Sequence, residues 1–315
     1  MYKRQPVRRL TSELKSTGRL RDSIDGTVVH ARLSSVRDVG AAVKAFTFRL
    51  SRPVNVPLPG GHGVFDFSHL LDEGYSHMDE ARPQSVNEDY LRTWTLSSAP
   101  EFDPETGHPL PTDTLEITVK RQSNGLVSNF LHRHAAQLMA EDAVGPHLRG
   151  VGGGFSCFSA GSTSVVRPKM LWVAGGIGIT PFISMWRALD QMAHTYSDTD
   201  VVMVFSGRDD DLDLIRSFLQ RIDDETPSPQ LRLLVYRTSP KEPVLGRLDP
   251  AQHIQHPKVE MRTGRLHPAD LCSIDDVLDR EAYLCGPPAL VRSVEHWLLA
   301  QGGDASRIHH ESYNY

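Results

Sequence analysis

Apolar and polar positions alternate in short runs over the first half of the chain, and gather into helix-spaced groups over the second. Segments Thr27–Leu33, Ala42–Leu50, Gly63–Ser68, Leu91–Ser98 and Leu115–Lys120 are rich in Val, Phe, Thr and Ile. Turn clusters such as Leu58-Pro59-Gly60-Gly61 and Asp103-Pro104-Glu105-Thr106-Gly107 separate them. Short β-type runs between turn signals predict a small antiparallel barrel. One helix is predicted inside it, Leu126–Ala136, opened by Asn124-Gly125.

Beyond a Gly- and Ser-rich stretch from Gly150 to Arg167 the pattern changes. Met170–Ala174 reads as a buried strand, followed by a glycine turn and a helix from Pro181 to His194. Strand Val201–Phe205, helix Asp211–Ile222 and strand Leu231–Tyr236 follow, then a helix around Ile274–Leu278, strand Ala282–Cys285 and helix Ala289–Ala300. Alternating strands and helices predict a doubly wound parallel sheet, which binds ligands beyond the C-terminal ends of its strands. The expected organisation is a basic tail over 1–25, a barrel domain over 26–165 and an α/β domain over 166–315.

Composition narrows the function classes. The 315 residues suit two domains. A net charge of −5 does not favour nucleic acid as a partner. No run of about 18 apolar residues occurs, so no membrane-spanning helix is expected. Three cysteines (Cys157, Cys272, Cys285) without a CxxC pair exclude a disulfide scaffold, a four-cysteine zinc site and a plant-type iron–sulfur cluster within this sequence. His132 and His134 sit two apart on a predicted helix and so point apart, and His253 and His256 lie before Pro257 without a nearby carboxylate cluster, so no metal is expected. The Arg-rich, acid-poor first twenty residues fit a solvated tail in a cytoplasmic protein or a mitochondrial transit peptide. The acidic stretch 71–90 reads as a solvated excursion or as a docking loop for a basic partner.

Five motifs carry candidate chemistry. In Arg92-Thr93-Trp94-Thr95-Leu96-Ser97-Ser98, arginine can grip a phosphate in bidentate fashion and the indole can stack on a planar heterocycle. Gly125-Leu126-Val127-Ser128 opens a helix whose first-turn amides suit an anion. Gly175-Gly176-Ile177-Gly178-Ile179-Thr180-Pro181 follows an apolar strand and reads as a diphosphate cradle, although it is not the G-x-G-x-x-G of dehydrogenases. Cys285-Gly286-Pro287 stands at another strand end, and Glu311-Ser312-Tyr313 lies close to the last residue.

Over residues 27 to 315 the five together resemble the ferredoxin–NADP reductase superfamily of flavoproteins. Arg92-x-Trp94-Thr95-x-x-Ser98 is similar to its R-x-Y-[ST]-x-x-S flavin motif, with Trp94 in place of tyrosine. Gly125-x-x-Ser128 resembles its flavin-diphosphate motif, the two glycine turns its pyridine-nucleotide motifs, and Glu311-x-Tyr313 its C-terminal E-x-[FY]. The resemblance implies an N-terminal antiparallel Greek-key β-barrel binding FAD and a C-terminal doubly wound α/β domain binding NADPH or NADH. It implies that Arg92, Val127, Ser128 and Gly125 hold the flavin diphosphate, that Trp94 flanks its ring, and that Thr95, Ser98, Val119 and Lys120 contact it. It places NAD(P)H over Gly175, Gly176, Gly178, Ile179, Thr180 and Pro181, with nicotinamide beside Cys285, Gly286 and Pro287. Thr95, Cys285 and Glu311 are then the catalytic candidates, and Tyr313 covers the flavin.

Coenzyme choice turns on charge, since a 2′-phosphate wants cations and a 2′-hydroxyl a carboxylate. Arg208, Arg237, Ser239 and Lys241 favour NADPH, while Asp209, Asp210 and Asp211 are expected in the first turn of the next helix. The implied activity is hydride transfer from NAD(P)H to FAD and onward electron transfer to a separate protein or small oxidant. A flavin- or nucleotide-binding sensor or regulatory subunit on the same fold is the rival.

Overall fold

The computed structural model describes residues 28–71, 90–159, 165, 167–220, 229–238, 254 and 256–312. The basic tail, residues 72–89 of the acidic stretch, Ser239, Lys241 and Tyr313 lie outside them. The chain divides into two compact units. One holds the described residues up to Arg37 together with Lys44–Gly154, the other Asp38–Val43 and the chain from Phe155 onward. The division thus falls at the head of the Gly- and Ser-rich stretch, upstream of residue 165.

The first unit is a six-stranded antiparallel sheet of β1 (Val29–Gly40), β2 (Val43–Val54), β3 (His62–Asp66), β4 (Leu91–Thr95), β5 (Thr112–Lys120) and β6 (His147–Gly152), in the order β4-β3-β6-β1-β2-β5. The two end strands meet just past β4, through a Leu96–Ile117 bridge and the Ser97 amide donating to the Glu116 carbonyl at 2.8 Å. Closure removes both exposed edges and makes the sheet a barrel. Strict alternation builds its interior: Val29, Ala31 and Leu33 of β1 are buried while His30, Arg32 and Ser34 face outward. Phe46, Phe48, Phe65, Phe67, Leu96 and Ile117 fill the core.

Strand β6 is not predicted by the apolar pattern, because its sequence His-Leu-Arg-Gly-Val-Gly lacks alternation. It is nonetheless central, paired with β1 on one side and β3 on the other. Its Arg149 answers Asp66 of β3, with Nε donating to Oδ2 at 2.8 Å. Burial opposes the Asp66 charge. Hydrogen bonds from Ser68 and the guanidinium of Arg149 outweigh it and hold the carboxyl below its usual value. Helix α1 (Ser68–Leu71) follows β3. The predicted helix 126–136 is realised as α2 (Leu126–Arg133) and α3 (Ala135–Leu138), broken at His134.

In the second unit, β7 (Lys169–Gly175), β8 (Asp200–Gly207), β9 (Gln230–Arg237), β10 (Val259–Thr263), β11 (Glu281–Gly286) and β12 (Ile308–Ser312) are all parallel, in the order β10-β9-β8-β7-β11-β12. Helices α4 (Thr180–Gln191), α5 (Leu212–Leu219) and α6 (Pro288–Ala300) accompany it. Trp172 of β7 stacks on Phe182 of α4 at 5.2 Å between centroids, and Trp186 meets Phe218 of α5 edge-on. Strands β10 and β12 were not apparent from the pattern. The helix expected around Ile274–Leu278 is instead a 3-10 turn over Pro268–Ser273 followed by turns. Ile274 and Val277 are buried three apart, which imitates helical spacing.

Arg280, just before β11, ties the N-terminal edge of this sheet together. Its Nε donates to Asp276 at 2.7 Å, and its Nη1 to the carbonyls of Met170 and Asp200 at 3.2 Å each. A buried guanidinium is tolerated only when its donors are matched this way. Arg280→Ala is expected to destabilise this unit by about 2–4 kcal/mol, because it unties three strands and removes the guanidinium from Asp200 and Asp276, of which Asp276 keeps Lys169 at 2.8 Å. Urea unfolding followed by tryptophan fluorescence would test this, with an unchanged midpoint counting against it.

Candidate functional site

In the parallel sheet, strand order reverses between β7 and β11, so the crevice where ligands bind lies beyond Gly175 and Gly286. Both strands end in glycine turns there, and the turns interlock. A Cβ on Gly178 would stand 2.5 Å from the Cys285 carbonyl oxygen and 2.9 Å from Gly286 Cα. A Cβ on Gly175 would stand 2.6 Å from Pro287 Cδ and 2.8 Å from Leu290 of α6. Gly286 has φ +150° and Gly176 φ +53°, conformations that glycine adopts without strain.

From Gly176 the chain enters a 3-10 turn, Gly176–Ile179, which runs directly into α4. Pro181 falls in the helix's first turn, where its missing N–H costs nothing. Thr180, nearly buried, donates its hydroxyl to the Ile177 carbonyl at 3.1 Å. Neither the 3-10 turn nor the first turn of α4 carries an acidic residue. Cys285 is buried and paired in register with Ala174 of β7 on one side and Glu311 of β12 on the other. Six of the predicted positions, Gly175, Gly176, Gly178, Cys285, Gly286 and Glu311, are therefore brought to one sheet edge. Their juxtaposition with Glu311 was not deducible until β12 was known to be a strand.

At the neighbouring strand ends the structure differs from the expectation for Arg237. Its side chain is buried, and Nε donates to Asp209 at 3.0 Å, so this guanidinium is already matched by a carboxylate. Asp209, expected to serve a helix dipole, is spent on that ion pair. Asp211 instead accepts from the Arg208 amide at 3.1 Å. Arg208 itself is exposed at the end of β8.

The barrel places the other predicted residues. Arg92 and Trp94 lie on β4, paired with Phe65 and Gly63 of β3. The Trp94 indole is half-buried and meets Phe65 and Phe67 at 6.0 and 5.8 Å. Thr95 is buried at the end of the strand, in register with His62. Ser98 accepts the Glu116 amide at 3.0 Å, so its hydroxyl helps to close the barrel. The Val119 carbonyl accepts from His132 Nε2 at 3.0 Å, giving that histidine a structural partner, and Lys120 ends β5 half-buried.

Gly125 caps α2, and the first intrahelical bond runs from the Asn129 amide to the Gly125 carbonyl at 3.0 Å. The amides of Leu126, Val127 and Ser128 precede that bond and point out of the helix. The Ser128 hydroxyl donates to the Gly125 carbonyl and accepts from the Gln122 amide, both at 3.2 Å. Its one proton is thus used within the turn, and the anion-binding capacity here rests on backbone N–H groups. A Cβ on Gly125 would fall 2.6 Å from Ser128 Oγ and would open the turn.

Both turns have features that suit phosphate groups: glycines without room for a side chain at Gly175, Gly178 and Gly125, amides at a helix start, and no carboxylate within either first turn, although Asp211 Oδ2 stands 3.5 Å from where a Cβ on Gly176 would be.

The chain has similar known proteins in both sequence and fold. The oxidoreductase NAD-binding domain family matches residues 172–296. The chain is 28% identical over 227 residues to the glycine betaine monooxygenase reductase subunit of Pseudomonas aeruginosa, covering 72% of this chain and 52% of that protein. It is also 28% identical to the stachydrine N-demethylase reductase subunit of Rhizobium meliloti, covering 70% and 53%. The chain thus spans about half the length of the curated relatives it matches. Among solved structures, the ferredoxin reductase in carbazole 1,9a-dioxygenase superposes with a TM-score of 0.59 at 20% identity, over 91% of this chain and 70% of that one. A ferredoxin NADP+ reductase from Neisseria gonorrhoeae with bound FAD and NADP gives 0.55 at 16%, over 91% and 99%.

Gly178→Ala is expected to destabilise the second unit by about 1–3 kcal/mol through overpacking against backbone. Gly154→Ala, with nothing within 4 Å of its Cβ, is the control and should be near neutral. Equal thermal midpoints for the two variants would remove the interlock as the reason for Gly178.

Proposed function

We propose that this chain, a member of the ferredoxin–NADP reductase superfamily, is an FAD-carrying oxidoreductase that takes a hydride from NAD(P)H and passes electrons to a separate acceptor. The observation that carries this reading is the meeting of Gly176–Thr180, Cys285 and Glu311 at the switch point of the parallel sheet. A nucleotide-binding turn alone needs neither the cysteine nor the carboxylate. The names of its relatives point to an electron-accepting oxygenase component as the partner class. The free thiols Cys157, Cys272 and Cys285 suit the reducing cytoplasm, where NADH and NADPH are supplied.

FAD rather than FMN is the prosthetic group in this reading, because the amides at Leu126–Ser128 offer a second anion site besides Arg92. When bound, the flavin accepts a hydride and releases electrons singly. The chain's own part is alignment. In the first unit Arg92 holds a phosphate by charge-assisted hydrogen bonds, Trp94 offers a flat face and Thr95 lies beside the flavin; in the second, Cys285 lies beside the nicotinamide. Glu311, one strand from Cys285, places a carboxylate at the nicotinamide end. At the adenosine end, among the described residues, Arg208 is a cation exposed beyond β8, whereas Arg237 is matched by Asp209.

The purified protein is expected to be yellow and to bleach under anaerobic NADPH or NADH. A yellow protein bleached by neither would favour the non-catalytic sensor, and a colourless one that takes up no flavin would end both readings. Arg92→Ala should lower flavin occupancy, whereas Cys285→Ala should retain flavin and slow its reduction. NADPH is the preferred coenzyme. Arg208→Ala should raise its KM about tenfold, in line with the loss of one charge-assisted bond, and leave that for NADH unchanged. An equal rise for both coenzymes would show that Arg208 does not read the 2′-phosphate.

A further inference from the structure

Among the described residues, strand β12 is the edge of the parallel sheet with β11 as its one neighbour, and it carries Glu311 level with Cys285. Edge strands are held by one ladder only, and a slip of one residue would turn every side chain to the opposite face. The side chain that guards against this is His309, two residues before Glu311 and so on the same face of the strand. It is paired in register with Tyr283, and the two rings stack at 4.8 Å between centroids and 20° between planes. Its Nε2 donates to Glu281 Oε1 at 2.6 Å.

Glu281 is only 3% exposed, at the head of β11, and its other oxygen faces Arg167 Nε at 3.3 Å. A buried carboxylate with few partners binds its hydrogen-bond donor firmly. One imidazole is therefore locked by a stack and by a short charge-assisted hydrogen bond to the strand beside it. The next residue, His310, stands 3.6 Å from Glu295 of α6. That contact is looser and half-exposed.

We propose that His309 is a positioning residue for Glu311: its bond to Glu281 and its stack on Tyr283 fix the register of β12 and hold the Glu311 carboxylate level with Cys285. This rests on the reading of Glu311 and Cys285 given above. His309 touches no coenzyme in this scheme; it acts through the strand.

The test is anaerobic stopped-flow reduction of the flavin-loaded full chain by NADPH, with His309→Ala, His309→Gln, Glu311→Gln and the double variant His309→Ala/Glu311→Gln. His309→Ala should retain bound flavin and an NADPH KM within about twofold of wild type, and lose about tenfold or more in the limiting reduction rate. His309→Gln keeps an N–H donor for Glu281 and should recover most of that rate. The double variant should be no slower than Glu311→Gln alone, because the two residues serve one carboxylate. A merely structural role would instead lower flavin occupancy, and its loss would add to that of Glu311→Gln. If Glu311→Gln is slow while His309→Ala reduces at the wild-type rate, the proposal is overturned and the reading of Glu311 stands. Full additivity in the double variant also overturns it. If Glu311→Gln reduces at the wild-type rate, the reading of Glu311 fails and the proposal falls with it.

Discussion

The absence of space between two turns is the constraint on which the second unit depends. Where β7 and β11 end side by side, the backbone of Gly178 lies against the carbonyl of Cys285, and Gly175 against Pro287 and Gly286. A methyl group on Gly178 would force main chain apart, and one on Gly175 would press on the Pro287 ring and the Leu290 side chain. The two turns are consequently one object, and the position of Cys285 is set by the same contact that admits the glycine loop. These glycines are usually explained by close approach to a diphosphate. Here the protein itself requires Gly175 and Gly178, because the two turns pack too closely to admit a Cβ at either position.

Charge is distributed to protect that edge. At the opposite end of the sheet, Arg280 gathers Asp276, Asp200 and two carbonyls into a closed network that pins strand beginnings. Along the C-terminal edge, the buried Arg237–Asp209 pair neutralises itself, and Asp211 is occupied by the Arg208 amide. The first turn of α4 has no acidic side chain of its own, and the carboxylate that stands near its leading glycine, that of Asp211, already accepts the Arg208 amide. The barrel repeats the scheme. Asp66 and Arg149 satisfy each other across β3 and β6, while the start of α2 carries no acid.

Much of this was legible in the chain itself. The alternation of β1, the buried run of β7 and the strand–turn–helix context of Gly175–Pro181 each state their conformation locally. The failures are equally local. Strand β6 carries two glycines and an arginine whose partner, Asp66, is eighty residues away. Strand β12 reads Ile-His-His-Glu-Ser and has no apolar stripe, because one histidine is spent on a buried carboxylate and the next two residues are polar. Ile274 and Val277 imitate a helix because two turn residues happen to be buried on the same side.

By itself, then, the sequence determined the two architectures, the glycine turns and the residue types available for phosphate, ring and carboxylate chemistry, since these follow from periodicity and backbone freedom within a few residues. Only the tertiary structure decided which of those residues remain available. Arg237 resembles a phosphate-binding cation until Asp209 is found against it, Ser128 resembles a phosphate donor until its proton is found in its own turn, and Glu311 gains its neighbour from β12's place at the sheet edge. The physical reason is that a charge or a hydroxyl is defined by what it already bonds, and those partners are brought together by strand order and register.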